Sequence, residues 1–229
     1  MIEYLFLDLD DTILDFGKAE RDGIQMTFRQ MGLEPTEEVL GRYHVINQEH
    51  WQMLERGELT REQVVVQRFA ALFAEFHCPA DPALCAKLYA ENLSLGHDFL
   101  PGAQEAVQRL SRKYRLFIAS NGTASVQHRR MTDTGLYPYF EQVFISEHLD
   151  ANKPEKEFFD RSFARIPGFA PDKAMIVGDS LTSDILGGLN AGILTCWVNP
   201  KGKKAPDTVR PHYEIPDITH LEALLEGME

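Results

Sequence analysis

The chain has 229 residues, of which 44% are hydrophobic and 25% charged, and its formal net charge is −12. This length allows a substantial core in one large domain or two modest ones, and the composition is that of an ordinary globular protein. The acidic balance argues against a nucleic-acid polymer as a partner, because phosphate backbones are bound by basic surfaces. The sequence has neither a run of 18 apolar residues nor a signal-peptide pattern, so we expect no membrane partner and a cytoplasmic location.

Cysteine and histidine usage argues against disulfide and zinc chemistry. The chain has three cysteines, an odd number, and their spacing is not that of a metal site. We expect all three, Cys78, Cys85 and Cys196, to be small buried hydrophobic residues. The eight histidines are scattered along the chain, so a zinc site is not expected.

The first predicted element is a buried strand in the segment IEYLFLD, which is continuously apolar and then ends abruptly in polar residues. From about residue 17 to 94 the apolar positions recur with helical spacing. Glycine, proline and capping residues interrupt this pattern at GLEPT, RGELT and HCPADP. The segment is therefore predicted to be an all-helical insertion of about four helices.

Predicted strands and helices alternate from residue 100 onward. The strands are RLFIAS, QVFIS, KAMIVGDS and ILTCWVN, and amphipathic segments lie between and after them. Such alternation indicates a parallel sheet covered on both faces. We therefore predict an α/β fold with a doubly wound, Rossmann-like parallel-sheet core of residues 1–15 and 96–229, into which an all-helical domain of residues 16–95 is inserted.

Polar segments follow the first four predicted strands. They are DLDDT, SNGT, SEHLDANKP and GDSLTSD. In doubly wound sheets, ligands bind in the crevice outside the carboxyl ends of the strands, so these four segments should converge in one place.

Carboxylates are concentrated in the first and fourth of these segments. Asp8 and Asp10 are two residues apart at a strand end and can face one side while Leu9 turns into the core. Asp179 arrives from another strand, and Asp184 follows five residues later. Converging carboxylates suit a hard divalent cation, and we predict Mg²⁺. Taken alone, DLDDT is equally compatible with a solvated turn.

The second and third segments supply groups that suit an anion. Lys153 carries fixed positive charge, and Ser120 and Asn121 lie where a hydroxyl group and backbone N–H groups could hold an oxyanion. With a metal ion, these groups would neutralise a phosphoryl group and leave Asp8 as an in-line nucleophile. Asp10 could then protonate the leaving oxygen and later deprotonate water.

In their order along the chain, DLDDT, FIAS, NKP and VGDSLTSD resemble the four motifs of the haloacid dehalogenase superfamily, and the helical insertion resembles its C1 cap. The resemblance implies an aspartyl-phosphate on Asp8, acid–base catalysis by Asp10, and a metal ion bound by Asp8, Asp179 and the backbone carbonyl of Asp10. It implies Mg²⁺ as cofactor, with Mn²⁺ or Co²⁺ as substitutes. The other implied site residues are Ser120, Asn121 and the catalytic Lys153 at the phosphoryl group, with Thr12 bracing the loop and Asp184 acting on the metal through water.

A narrower resemblance connects three segments to the YjjG-type bacterial pyrimidine 5′-nucleotidases, namely NQEHW…GELT in the insertion, SNGTASVQHRRMTDTGLYPYF and GDSLTSDILGGLNAGILTCWVN. It implies hydrolysis of a small phosphorylated metabolite, specifically a pyrimidine nucleoside 5′-monophosphate. The chain departs from that group around Asp11, which we expect to face solvent. We expect a monomer or a homodimer.

Several alternatives remain at this point. A phosphosugar mutase shares every core motif, and a phosphatase of this type could instead act on phosphoglycolate, a sugar phosphate or a sialic-acid phosphate. A carbon–halogen hydrolase needs neither a metal nor an acid at the position of Asp10. A non-catalytic partner-binding protein would be expected to have lost Asp8, Asp10 or Asp179, and all three are present.

Residues of the helical insertion are expected to select the leaving group, because a lid that closes over a site excludes water. The turn at residues 56–59 is one candidate. Phe16 and Trp51 are others, since either ring could stack on a base, although helix packing is the favoured explanation for Trp51.

Overall fold

The structure is a computed structural model in which residues 1–228 are described. It divides into two compact units. The sheet unit comprises Met1–Asp15, Asp98–Ala124 and the chain from Met131 onward, and the helical unit comprises Phe16–His97 together with Ser125–Arg130. Within the described part of the chain, no helix combines the length and the apolar character that crossing a membrane requires.

The helical unit is built mainly from helices α1 (Phe16–Gln30), α2 (Glu37–Glu55), α3 (Arg61–Glu75) and α4 (Pro82–Leu93). Three of them begin at side chains that accept a backbone N–H, namely Thr36, Thr60 and Asp81. These caps satisfy N–H groups that the first turn of a helix leaves without a partner. The breaks predicted from glycine, proline and threonine thus fall between the observed helices.

Aromatic rings fill the core of the helical unit. The rings of Tyr43, Phe69 and Tyr89 pack together with centroid separations of 5.2 to 5.5 Å. Beside them, the buried Arg68 donates a hydrogen bond to Asn47 (2.7 Å), which in turn donates one to Glu20 (2.7 Å). Two buried charges are therefore connected through an amide group, which reduces the cost of removing them from water.

The sheet unit contains six parallel strands, β1 (Tyr4–Leu7), β2 (Arg115–Ser120), β3 (Gln142–Ile145), β4 (Ala174–Gly178), β5 (Leu194–Val198) and β6 (Tyr213–Ile215). Their order across the sheet is β3-β2-β1-β4-β5-β6. The direction of winding reverses between β1 and β4, which lie side by side. The predicted α/β, doubly wound fold is confirmed, and such a reversal opens a crevice at the carboxyl ends of the strands.

Helices cover both faces of this sheet. They are α5 (Ala103–Leu110), α7 (Ser146–Leu149), α8 (Lys156–Phe163), α9 (Leu186–Ala191) and α10 (Leu221–Glu226). The remaining helix, α6 (Ala124–Asp133), follows β2, and its residues Ser125–Arg130 belong to the helical unit. Alternate residues of β1 belong to two different hydrophobic cores. Leu5 and Leu7 belong to the first core, and Tyr4 and Phe6 belong to the second. The whole strand is buried, because a parallel sheet with helices on both faces leaves no side of it in water.

The cysteines differ from one another in burial. Cys85 and Cys196 are buried as expected, and burial raises the pKa of each thiol to about 12. Cys78 is only partly buried, so the expectation of three buried cysteines is wrong at this position. It lies just beyond the end of α3 and packs against the core of the helical unit.

Candidate active site

The tips of β1, β2 and β4 lie side by side at the carboxyl edge of the sheet. Leu7, the last residue of β1, is in register with Ile118 of β2 and Val177 of β4. Asp8 follows β1, Ser120 is the last residue of β2 and Asp179 follows β4, so all three lie at the same edge of the sheet. The backbone N–H of Asp8 still donates to the carbonyl of Val177 (2.9 Å), which fixes the position of this tip.

Lys153 reaches the same place from the segment that follows β3 and α7. Its side chain is buried, and its ammonium group donates to Asp8 Oδ1 (2.9 Å) and to Asp184 Oδ1 (2.6 Å). It also donates to the carbonyl of Ala119 (2.5 Å). Burial by itself would lower the pKa of this lysine, but the charges of Asp184 and Asp8 outweigh it, so the pKa is raised and the side chain stays cationic.

Asp8, Asp179 and Asp184 form a compact carboxylate cluster. Each offers one oxygen, and these oxygens all lie within 4.8 Å of one another. Burial raises the pKa of Asp8 to about 8; Lys153 opposes this increase, and Asp184 and Asp10 add to it. The pKa of Asp179 is raised well above its usual value, first by burial and then by Asp184 and Asp8. The cluster therefore holds more negative charge than its surroundings compensate.

This cluster fits a hard divalent cation. Its potential ligands are carboxylate oxygens, the donors that Mg²⁺ and Ca²⁺ prefer, and it contains neither sulfur nor imidazole. Three carboxylates beside one ammonium group leave an excess of about two negative charges, which matches the charge of such an ion. The pKa values of Asp8 and Asp179 are raised first by burial and then by the neighbouring carboxylates, and nearby positive charge would lower both.

Asp184 is held inside the cluster by its local fold. A π-helical turn at Leu181–Ile185 follows β4 and returns the fully buried Asp184 toward the strand tip. Its Oδ2 accepts the backbone N–H of Ser180 (3.1 Å), while Oδ1 contacts Lys153. The resemblance implies that this residue acts on the metal through water, and its carboxylate lies among the potential ligand atoms of the cluster.

The predicted anion-binding residues occupy one loop, but their side chains face different partners. Ser120 is buried, and its hydroxyl oxygen accepts the backbone N–H of Gly122 (3.0 Å). The amide of Asn121 donates to the carbonyl of Lys153 (2.8 Å) and accepts its N–H (2.9 Å). The side chain of Asn121, which is predicted to bind substrate, connects its loop to the segment that carries Lys153.

The segment after Asp8 forms a tight turn. Asp10 is partly exposed beside Asp8, and its charge contributes to the raised pKa of Asp8. Asp11 has a left-handed backbone (φ 51°) and is likewise partly exposed, and its charge helps to raise the pKa of Asp179. Thr12 is fully buried, and its hydroxyl group has no hydrogen-bond partner among the described residues.

Two residues near the cluster were missed by the sequence analysis. Trp197 on β5 donates its indole N–H to the carbonyl of Asp179 (2.8 Å) and so supports the tip of β4. Gly178 precedes Asp179, and a Cβ atom at this glycine would lie 2.2 Å from Asp184 Oδ2. The motif GDS contains this glycine, but its importance depends on where Asp184 returns, which the sequence alone does not reveal.

The candidates in the helical unit have contacts of their own. Trp51 is half-buried, and the guanidinium group of Arg61 lies 5.6 Å from its ring centroid. Gly57 has a left-handed backbone (φ 71°) in the turn between α2 and α3. Beside it, Arg56 and Glu58 form an exposed ion pair (2.6 Å). Phe16 is the first residue of α1.

A doubly wound sheet with a carboxylate cluster and a buried lysine at its switch point is an arrangement suited to α/β enzymes that bind a cation and an anion at the strand tips. In agreement, residues 4–198 match the family model described as haloacid dehalogenase-like hydrolase. The chain belongs to this family.

Similar proteins cover the chain almost from end to end. It is 40% identical to the HAD-hydrolase YfnB of Bacillus subtilis over 96% of this chain and 94% of that protein. A crystal structure of YfnB bound to magnesium has a TM-score of 0.93 at 39% identity, with 98% of each chain covered. The pyrimidine 5′-nucleotidase PynA of Streptococcus pneumoniae is 36% identical over 93% of this chain and 90% of its own length. The pyrimidine 5′-nucleotidase YjjG of Escherichia coli is 28% identical, with 97% of each chain covered.

Proposed function

We propose that this protein is a Mg²⁺-dependent phosphomonoesterase that hydrolyses pyrimidine nucleoside 5′-monophosphates. The observation that carries the proposal is the cluster of Asp8, Asp179 and Asp184, in which Lys153 contacts the two buried members, Asp8 and Asp184. A phosphate monoester carries about two negative charges at neutral pH, so it needs local positive charge at a site with this excess of carboxylates. Lys153 supplies part of that charge, and a bound cation would supply the rest.

In this proposal Asp8 is the nucleophile. Its carboxylate attacks the phosphorus atom, the bond from phosphorus to the ester oxygen breaks, and Asp10 donates a proton to the departing alcohol. Water then attacks the phosphorus of the aspartyl-phosphate and gives a proton to Asp10. The bond between phosphorus and the Asp8 oxygen breaks, so inorganic phosphate is released and Asp8 is restored. Lys153 and Ser120 would hold the phosphoryl oxygens throughout.

Asp8, Asp179 and the backbone carbonyl of Asp10 would hold the metal ion in this proposal, with Asp184 close enough to join or support them. A bound Mg²⁺ would neutralise the phosphoryl oxygens and keep the carboxyl group of Asp8 ionised. The magnesium in the similar YfnB structure supports this choice of ion, and Mn²⁺ or Co²⁺ would be tested as substitutes.

The choice of substrate is supported by the two similar pyrimidine 5′-nucleotidases, PynA and YjjG. We also propose that the helical insertion of residues 16–95 is the cap that selects the leaving group, as in the family that it resembles. Its sequence is where phosphatases of this kind and phosphosugar mutases would differ.

A phosphate-release screen tests the proposal. The purified protein with Mg²⁺ would be offered UMP, dUMP, TMP and CMP, the purine nucleotides AMP and GMP, phosphoglycolate, glucose 6-phosphate and a sialic-acid phosphate. We expect the highest kcat/KM for a pyrimidine nucleotide, with one phosphate released per nucleoside formed. Faster hydrolysis of one of the other phosphates, an isomerised sugar phosphate, or activity that survives exhaustive chelation would contradict the proposal.

The covalent step has its own test. Enzyme quenched in acid during turnover of a radiolabelled nucleotide should carry phosphate that hydroxylamine removes, as expected of an acyl phosphate. Peptide mapping should place the label on the peptide that contains Asp8. The variant Asp8→Asn serves as the control, and labelling of that variant would exclude Asp8 as the nucleophile.

A further inference from the structure

The loop at residues 120–124 is connected at two points to the segment at residues 146–153. At its start, the side chain of Asn121 makes two hydrogen bonds with the backbone of Lys153. At its end, the backbone N–H of Ala124 donates to Glu147 Oε2 (2.7 Å). The two segments follow neighbouring strands, β2 and β3, so these bonds cross from one strand tip to the next.

The contact with Glu147 caps helix α6, whose first residue is Ala124. The first turn of α6 contains no acidic residue of its own. The early N–H groups of a helix need acceptors, and a carboxylate is a favourable one because it also interacts with the positive end of the helix dipole. Here that acceptor comes from a residue 23 positions further along the chain.

Helix α7, which carries Glu147, is itself well anchored. Ser146 and Leu149 are buried on either side of Glu147. From α8, Arg161 donates to the backbone carbonyls of Leu149 and Asp150. Glu147 is therefore an exposed side chain on a fixed backbone, and its carboxylate can hold Ala124, the first residue of α6, in a defined position.

We propose that Glu147 is a positioning residue for the phosphoryl site. By capping α6 it fixes the loop that begins at Ser120, while Asn121 fixes the same loop against Lys153. Glu147 touches none of the proposed reacting groups. The inference rests on the proposed function, because it requires that Ser120 and Lys153 hold the phosphoryl group together.

The test compares Glu147→Ala and Glu147→Gln with the wild type and with Glu105→Ala. Glutamine keeps an oxygen that can accept the N–H of Ala124, whereas alanine removes it. Glu105 is also an exposed glutamate near the start of a helix of the sheet unit, α5, so its removal controls for lost surface charge. The readouts are kcat and KM for p-nitrophenyl phosphate, the inhibition constant of inorganic phosphate, and hydrogen exchange at the Ala124 amide.

For Glu147→Ala we expect kcat to fall about 10- to 100-fold, because small displacements of a positioned group have effects of that size. The inhibition constant of phosphate should rise, and the Ala124 amide should exchange faster. Glu147→Gln should retain kcat within about threefold and keep the slow exchange, since a hydrogen bond and not a charge is required. Glu105→Ala should match the wild type.

Two results would overturn the inference. One is a Glu147→Ala variant whose kcat and phosphate inhibition stay within about twofold of the wild type. The other is a Glu147→Gln variant as impaired as the alanine variant while its Ala124 amide remains protected. In both cases the wild type is active; a wild type that releases no phosphate from any ester tested would instead overturn the proposed function.

Discussion

Among single residues, Asp8 combines burial with proximity to other carboxylates. Burial, Asp184 and Asp10 together raise its pKa to about 8 against the opposing effect of Lys153. A nucleophilic carboxylate has to be ionised, so the same environment that excludes water also disfavours the reactive form. The position therefore suits catalysis only when further positive charge reaches the cluster.

The first prediction concerns Asp8→Asn. We expect this variant to release no phosphate and yet to unfold at a higher temperature than the wild type when metal is absent. In the wild type, a folded-state pKa of about 8 against an ordinary 3.8 means that stability is lost as pH rises between these two values. Asparagine has no ionisable group at this position, so the stability of the variant does not decrease with pH for this reason.

Thermal unfolding in the presence of a chelator, from pH 5 to pH 8, measures the effect. The difference between variant and wild type should grow with pH across this range. Asp172→Asn, which removes an exposed carboxylate of the same unit, is the control and should show no such trend. A difference that does not change with pH would mean that Asp8 is not destabilised by its surroundings.

The second prediction concerns Gly178, whose lack of a side chain leaves room for Asp184. In Gly178→Ala the new Cβ atom would lie 2.2 Å from Asp184 Oδ2, so the carboxylate has to move. We expect a loss of about 1–3 kcal/mol in unfolding free energy, as for other overpacked sites. The Mg²⁺ concentration needed for half-maximal activity should rise at least about tenfold.

Urea unfolding and a Mg²⁺ titration of activity would measure these two effects. Gly41→Ala is the matched control, because Gly41 lies on α2 and a Cβ atom added there would have no neighbour within 4 Å outside its own helix backbone. An alanine there should be neutral or stabilise the helix by about 0.5–1 kcal/mol. A Gly178→Ala variant that behaves like Gly41→Ala would show that Asp184 can move without consequence.

The positions of single site residues could be predicted from the sequence only where the local chain geometry determines them. Asp8 and Asp179 could be placed at one sheet edge because each directly follows an apolar strand. The position of Asp184 depends on a π-helical turn, and the contacts of Asn121 join residues 32 positions apart. Neither feature has a local pattern in the sequence, so their geometry required the fold.

At the scale of elements, the chain follows its hydrophobic pattern where that pattern is long. Strand β2 coincides with the predicted segment RLFIAS, because a short, mainly apolar run favours a strand in a sheet that is covered on both faces. Strand β6 was missed, since only one of its three residues, Ile215, is buried. A segment this short is defined by its backbone pairing with β5 more than by its side chains.

The third prediction concerns the start of α3, where Thr60 and Gln63 form a reciprocal capping box. The hydroxyl of Thr60 accepts the N–H of Gln63 (3.4 Å), and the side chain of Gln63 accepts the N–H of Thr60 (2.8 Å). Thr60→Ala removes one acceptor from an exposed helix start, so we expect a loss of about 1 kcal/mol in unfolding free energy. Thr60→Ser keeps the hydroxyl group and should retain most of the stability in the same urea titration. Equal losses in the two variants would rule out the hydroxyl as the cause.

At the scale of the whole molecule, the net charge of −12 complicates any test for a specific cation. Added salt of any kind screens repulsion among acidic groups and can stabilise such a protein without binding at one place. The carboxylate cluster predicts a second, local effect, because an ion that binds only the folded state stabilises it by mass action.

The fourth prediction separates these two effects. With Mg²⁺ at tenfold its dissociation constant, binding should add about 1.4 kcal/mol to the unfolding free energy. For a chain of this size that raises the unfolding temperature by about 3–6 °C beyond the change caused by NaCl at the same ionic strength. Asp179→Asn removes one oxygen donor and one charge from the cluster, so this variant should respond equally to Mg²⁺ and to NaCl. If it kept the full additional shift, Mg²⁺ would be acting elsewhere on the acidic surface, and the buried carboxylates would need another source of positive charge.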